Sequence, residues 1–263
     1  MRARDLIDEI RIGGSAPEVT CDTVKSGDPD KKIKKVAVSM FATVKNIKAV
    51  SEWGADMMIV HEPTYYDHLE SGAETPVTRA KRELVEKSGI VIYRHHDRMH
   101  ARVCDGITEG ELYYLGLRGR VEKTPYFASY LMTLDEPKTA IELAQMMEGK
   151  LGIKHVRIAG QRSKKSKSIA LCFGTPEGVF DLLCDERVEV VLVGEACEWQ
   201  VAEYARDAAE LGFNKSLIVM GHIGSERDGM RLLAKKLSEA HPELEFRYFE
   251  CGEVYSYTGD ENK

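Results

Sequence analysis

Short runs of apolar, often β-branched residues alternate with amphipathic windows along most of the chain. The runs predict strands at Lys35–Met40, Met57–Val60, Ile90–Tyr93, Tyr126–Met132, His155–Ala159, Ile169–Phe173, Glu189–Val193, Ser216–Met220 and Glu245–Phe249. Most lack strict alternation of apolar and polar positions, as strands covered on both faces do. Between them, helices are predicted at Val44–Trp53, Val77–Lys87, Thr139–Leu151, Glu177–Cys184, Trp199–Leu211 and Ser225–Ala240. In the last window Met230, Leu233, Ala234 and Leu237 follow the i, i+3, i+4, i+7 rule and form one apolar stripe. Strand–helix alternation of this kind predicts an α/β protein with largely parallel sheets. The stretch LGLRGRVEKTP, around Gly116–Thr124, mixes Gly, charge and Pro and reads as a boundary.

Composition narrows the class without naming it. At about 150 residues per domain, 263 residues make one large domain or two modest ones. An apolar fraction of 43% with 30% charged residues is ordinary for a folded globular chain. Lys and Arg total 37 against 43 Asp and Glu, a formal charge of −6, which argues against a nucleic-acid partner. No apolar run approaches the ~18 residues that cross a bilayer, and acids interrupt the N-terminal MRARDLIDEIRIGG, which reads as an amphipathic helix rather than a signal peptide. A cytoplasmic protein with no membrane partner is expected. Six cysteines are scattered without a CxxC pair, so reduced and mostly buried thiols are expected, and no cysteine zinc site.

The chemistry concentrates in the histidines. Five of the eight follow predicted strands: His61 in IVHE, His95, His96 and His100 in VIYRHHDRMH, and His222 in VMGHIGSE. Ligand sites in parallel sheets gather outside the carboxyl ends of strands. His96 and His100 are four apart, as are His222 and Glu226, so a helical turn puts each pair on one face. His95 and His96 cannot both face one site from an extended segment, and the pairing with His100 selects His96. The set His61, Glu62, His96, His100, His222 and Glu226 offers four imidazoles and two carboxylates, a donor set for Zn²⁺, Fe²⁺, Mn²⁺ or Co²⁺. Six ligands exceed one tetrahedral site and predict a two-metal centre. Asp97 and Arg98 are candidates to orient the ligands. Glu195, in LVGE at another strand end, is a candidate general base alongside Glu62. Ser225-Glu226-Arg227-Asp228 also reads as a capping-box-like helix start. His68, His155 and His241 receive no role.

These segments resemble the Nif-three-like dinuclear metal-centre family, also called GTP cyclohydrolase I type 2-like. The resemblance runs from the N-terminal helix through GADMMIVHEP and VIYRHHDRMH to LVGE and GHIGSERDGMRLLAKKL. It implies that His222, Glu226, His61 and His96 ligate metal, with Glu226 as the bridge. Glu62 stands where the family commonly has a second His, and His100 where it has an Asp; the swaps leave the total of nitrogens and carboxylates unchanged. The resemblance also implies two α/β domains with mixed or parallel sheets, the N- and C-terminal segments sharing one. With the boundary near residue 120, residues 1–120 and 215–263 would form the metal-site domain and 121–214 the other. It further implies a homohexamer with metal sites facing an internal cavity.

Two functions follow as expectations. One is a metal-dependent hydrolase of the cyclohydrolase or phosphoester type acting on a small molecule, with Glu62 or Glu195 moving the proton. The alternative is a non-catalytic metal-binding scaffold for regulation, storage or delivery. The chain has no recognisable guanine- or triphosphate-binding motif.

Overall fold

A computed structural model describes residues 1–70 and 72–258 of the chain. The chain divides into two compact units, one formed by Met1–Arg98 with the segment that begins at Leu233, the other by Met99–Leu232. Residues 99–120 and 215–232 therefore pack within the second unit. Both crossings fall inside helices, where no Gly–Pro punctuation marks them.

The first unit contains α1 (Ala3–Ile10), β1 (Val24–Ser26), β2 (Lys35–Ser39), α2 (Val44–Glu52), β3 (Met57–Val60), α3 (Pro76–Ser88), β4 (Val91–Arg94) and the start of α4 (Asp97–His100). The chain returns to it in α9 (His222–Ala240) and β11 (Glu245–Tyr248). Its sheet has the order β1-β4-β3-β2-β11. The four strands from β4 to β11 are parallel, and only β1 runs antiparallel. Every residue of β3 and β4 is buried, which explains their continuous apolar runs. Met58, Val60 and Ile92 pack with Ile47 and Val50 of α2 and Val85 of α3. α2 and α3 begin where Thr43 and Thr75 accept the backbone N–H of Asn46 and Thr78, and α3 ends at Gly89 with φ of 62°.

The second unit holds α5 (Gly106–Leu115), β5 (Gly119–Lys123), β6 (Tyr130–Lys138), α6 (Ala140–Met146), β7 (Arg157–Gly160), β8 (Ser166–Cys172), α7 (Val179–Cys184), β9 (Val190–Val193), α8 (Glu203–Glu210) and β10 (Ser216–Val219). Its mixed sheet runs β5-β6-β8-β9-β10-β7, with β8, β9 and β10 parallel and the flanking pairs antiparallel. Ala170, Val191, Val193 and Leu217 form its core with Leu183 of α7 and Ala205 of α8.

The predicted α/β class and the sharing of one sheet by the N- and C-terminal segments hold. All nine predicted strands are present, Met57–Val60 with the predicted ends and the others with shifted ones. The largest shift moves Tyr126–Met132 to β6 at Tyr130–Lys138, because Thr124 and Ser129 close a turn containing Ala128 at φ of 53°. β5 lies in the predicted boundary: nearly all of it is exposed, so no apolar alternation announces it. β1 was not predicted; it is three residues long and only half-buried. α9 starts at His222 rather than Ser225, because Gly221 turns the chain at φ of 84°. Ser225 therefore does not cap the helix; its hydroxyl donates to the His222 carbonyl and accepts from Gly174 N–H, each at 2.9 Å. The cysteines are not mostly buried: Cys21 and Cys172 are, while Cys104 and Cys197 are exposed. No described helix is long and apolar enough to cross a membrane.

Within the second unit α5 passes α9 by way of facing glycines. A Cβ on Gly110 would collide with Gly229 and lie 2.5 Å from the Asp228 carbonyl oxygen, whereas one on Gly149 would meet nothing within 4 Å. Gly110→Ala is expected to lower stability by about 1–3 kcal/mol, and Gly149→Ala to leave it unchanged or raise it by about 0.4–1 kcal/mol. Urea denaturation of the two variants measures the contrast.

Candidate metal centre

The parallel strands deliver chemistry at their carboxyl ends. β3 runs out into His61 and Glu62, whose N–H groups both bond Met40 O, at 3.0 and 2.9 Å. β4 ends at Arg94 and continues into His95 and His96, with His95 N–H on Val60 O at 2.8 Å. In the second unit β9 leads to Gly194-Glu195, and β10 leads through Gly221 into His222.

In the first unit His61 is fully buried and its Nδ1 lies 3.0 Å from the His95 carbonyl oxygen. A carbonyl only accepts, so Nδ1 carries the proton and Nε2 the lone pair. The His61 and His96 rings stack with centroids 4.5 Å apart. His96 Nδ1 lies 3.0 Å from Asp97 Oδ1, which imposes the same tautomer. His95 itself is buried and stacks near Tyr93, so the alternation expected between His95 and His96 is realised.

Arg94, fully buried, ties this segment together. Its Nε donates to His61 O at 2.8 Å, Nη1 to His68 O at 2.6 Å, and Nη2 pairs with Glu62 Oε2 at 3.4 Å. Asp22, also fully buried, accepts the N–H groups of His96, Asp97 and Arg98 and so starts α4. Asp97 in turn accepts from Thr20 Oγ1 at 2.7 Å and from Cys21 N–H at 3.1 Å. Burial alone would raise the Asp97 carboxyl, but these bonds and the His96 ring outweigh it and hold the group well below the usual carboxylate range. Burial pushes the Cys21 thiol up to about 12.

The second unit repeats the arrangement with carboxylates. His100 Nδ1 lies 2.9 Å from Asp105 Oδ2, and His222 Nδ1 lies 2.8 Å from Glu195 Oε1. Their Nε2 atoms face opposite oxygens of Glu226: His100 to Oε1 at 4.0 Å and His222 to Oε2 at 3.1 Å. The i, i+4 spacing of His222 and Glu226 thus places both side chains on one face of α9, as predicted. Glu226 is buried, and a Cβ on Gly174 would collide with its Oε1. Asp105 serves twice, since its Oδ1 caps α5 through the N–H groups of Ile107 and Thr108. Glu195 is more than half exposed and lines an open recess of about 560 Å³ with Asp181, Cys197 and Gln200.

His222 and Glu226 meet in one unit, His61 and His96 in the other. The orienting groups Asp22, Arg94 and Asp105 were not predicted. Asp105 had a signal, standing directly before a Gly and a helical window, but Asp22 and Arg94 act across long sequence separations and left none. Cys21 and His68, set aside on sequence, lie beside His96 and Asp97, and the four offer ligand atoms within 4.8 Å of one another.

A family model described as Duf34/NIF3 (NGG1p interacting factor 3) matches residues 22–252. The chain belongs to the Duf34/NIF3 family. Among its relatives, a Clostridium perfringens protein called GTP cyclohydrolase 1 type 2 homolog is 24% identical over 221 residues, covering 81% of each chain. A solved structure of protein ybgI, of unknown function, superposes with a TM-score of 0.79 at 21% identity, covering 97% of this chain and 100% of that one. A Bacillus cereus protein related to NIF3 gives 0.77 at 13% identity, over 98% and 99%. At these identities the structural likeness speaks for the NIF3 fold alone.

Two tests follow from the Arg94 cluster and its neighbours. Removing Arg94 while keeping Glu62 strands a buried carboxylate, so Arg94→Met is expected to cost about 3–5 kcal/mol. Adding Glu62→Gln should restore part of that loss in urea denaturation of the metal-stripped protein. Lys81, on α3, donates to Thr64 O at 2.5 Å in the loop after β3. Burial pushes its ammonium down from 10.5 to about 8. Between these values the unfolded chain binds more protons, so the wild-type protein should gain stability relative to Lys81→Met as pH rises from 8 toward 10.5. A flat difference in urea midpoints across that range would contradict the assignment.

Proposed function

We propose that this NIF3-family chain binds two divalent metal ions through His61, Glu62 and His96 and through His100, His222 and Glu226, and uses them to hydrolyse a small substrate of the cyclohydrolase or phosphoester type. The observation that carries the reading is shared by four imidazoles. Each of His61, His96, His100 and His222 has its Nδ1 within 3.0 Å of an oxygen acceptor, the arrangement that offers Nε2 to a metal. Metal-ligating histidines are oriented in this way by carboxylates and carbonyls. Glu226 adds a buried carboxylate that faces both His100 and His222 and completes their donor set. Nitrogen and carboxylate donors without a thiolate suit Zn²⁺, Fe²⁺, Mn²⁺ or Co²⁺.

Bound cations of this kind supply Lewis acidity and lower the pKa of coordinated water. The chain's own groups divide the remaining work. Glu62, paired with buried Arg94, is held in place as a ligand. Glu195 is exposed on the recess and bonded to His222, so it can accept a proton from an approaching water and return it to a leaving group. The names of the GTP cyclohydrolase 1 type 2 homologs support a ring-opening hydrolysis, and the resemblance carries assembly as a homohexamer with it.

Elemental analysis of purified protein tests the site. Glu226→Ala and His222→Ala should each lose at least one metal equivalent with circular dichroism unchanged; unchanged metal content in both would overturn it. Turnover of GTP, phosphoesters or cyclic amides should disappear on chelation and return on reloading. Inactivity across that panel with both metals bound would favour the metal-binding scaffold.

A further inference from the structure

We propose that Cys21, His68, His96 and Asp97 form an additional, thiolate-containing site that takes a thiophilic divalent cation such as Zn²⁺ or Co²⁺. The site lies wholly within the first unit and shares with the two-metal reading only His96 and the Asp97 that faces it. An ion here replaces the His96 Nδ1–H bond to Asp97, so the site does not rest on that reading. One ligand atom from each of the four residues lies within 4.8 Å of the others. Cys21 Sγ is 3.4 Å from Asp97 Oδ1, which is 3.0 Å from His96 Nδ1, and the His68 ring meets the His96 ring edge-on at 5.3 Å. A tetrahedral zinc ion with Cys and His ligands holds its donor atoms roughly 3.3–3.7 Å apart, so closing this group around an ion needs only small side-chain movement.

The backbone of each member is hydrogen-bonded, that of Asp97 through its N–H to Asp22 Oδ1 at 2.9 Å. Arg94 Nη1 bonds His68 O at 2.6 Å, Asp22 Oδ1 accepts His96 N–H at 2.7 Å, and Asp97 Oδ2 accepts Cys21 N–H at 3.1 Å. Cys21 and Asp97 are buried while His68 is exposed, which opens an entry side to a mostly enclosed site. Charge balance favours a divalent ion. The Cys21 S–H bond breaks as the metal–sulfur bond forms and its proton leaves to solvent, while the His96 Nδ1 proton is exchanged through solvent for one on Nε2; thiolate and Asp97 carboxylate then neutralise the two positive charges. The sulfur donor selects against Mg²⁺ and Ca²⁺, which take oxygen ligands. The long separation in sequence, 76 residues between Cys21 and Asp97, is why no spacing motif announces the group.

Co²⁺ titration of the reduced full chain tests the proposal. A thiolate-to-cobalt charge-transfer band should grow in the near ultraviolet and be displaced by Zn²⁺; sites built only from nitrogen and oxygen give none. The band should vanish in Cys21→Ser and persist in Cys251→Ser and in Glu226→Ala, the latter having lost metal from the proposed catalytic set. His68→Ala, at an exposed ring, should weaken Co²⁺ binding on the order of tenfold or more. X-ray absorption at the zinc edge of the wild-type protein should show a sulfur neighbour, a readout independent of any variant's folding. Absence of both the band and the sulfur neighbour at saturating metal, or an unchanged band in Cys21→Ser, overturns the site even if the two-metal reading stands.

Discussion

An imidazole presents one lone pair, and which nitrogen carries it depends on what the other nitrogen touches. The chemistry of this protein hangs on that constraint. His61 is set by the carbonyl of His95, His96 by Asp97, His100 by Asp105 and His222 by Glu195. Three of the four acceptors are themselves secured, while Glu195 is exposed. The His95 carbonyl follows the end of β4, Asp97 sits on α4 behind the Asp22 cap, and Asp105 caps α5 with its second oxygen. Asp97 is thus helix-borne and Asp105 helix-capping, so at His96 and His100 the local secondary structure holds the group that orients the ring.

The buried charges extend this coupling into the core. A guanidinium as enclosed as Arg94 persists only where its donors are satisfied and an opposite charge lies near. Its three contacts go to His61 O, His68 O and Glu62, all in the loop after β3. One side chain therefore fixes the backbone of two histidines and the carboxylate beside one of them. Glycine serves the same purpose by absence in the second unit, where Gly174 leaves room for the Glu226 carboxylate.

Much of this was legible in the residues. Continuous apolar runs such as MMIV and VVLV marked strands buried on both faces, and the stripe through Met230 and Leu237 marked α9. Placement of His61, His96 and His222 after strands pointed to the carboxyl edge of parallel sheets, and the i, i+4 spacing of His222 and Glu226 translated directly into contact on α9. Exposed or very short strands, β5 and β1, carried no periodicity to read. The start of α9 was misplaced because a left-handed glycine at 221, rather than a side-chain cap, begins it.

The sequence by itself determined the α/β class, the strand ends that bear histidines and which donors lie one helical turn apart, because all of these depend on local periodicity and backbone preference. Only the tertiary structure decided the tautomers, the partners of Arg94 and Asp22, and the meeting of Cys21 with His68 and Asp97. The contacts of Arg94, Asp22 and Cys21 depend on sheet pairing across tens of residues, and even the neighbouring pairs His96–Asp97 and His100–Asp105 depend on side-chain rotations. A chain read one window at a time holds no record of distance in space.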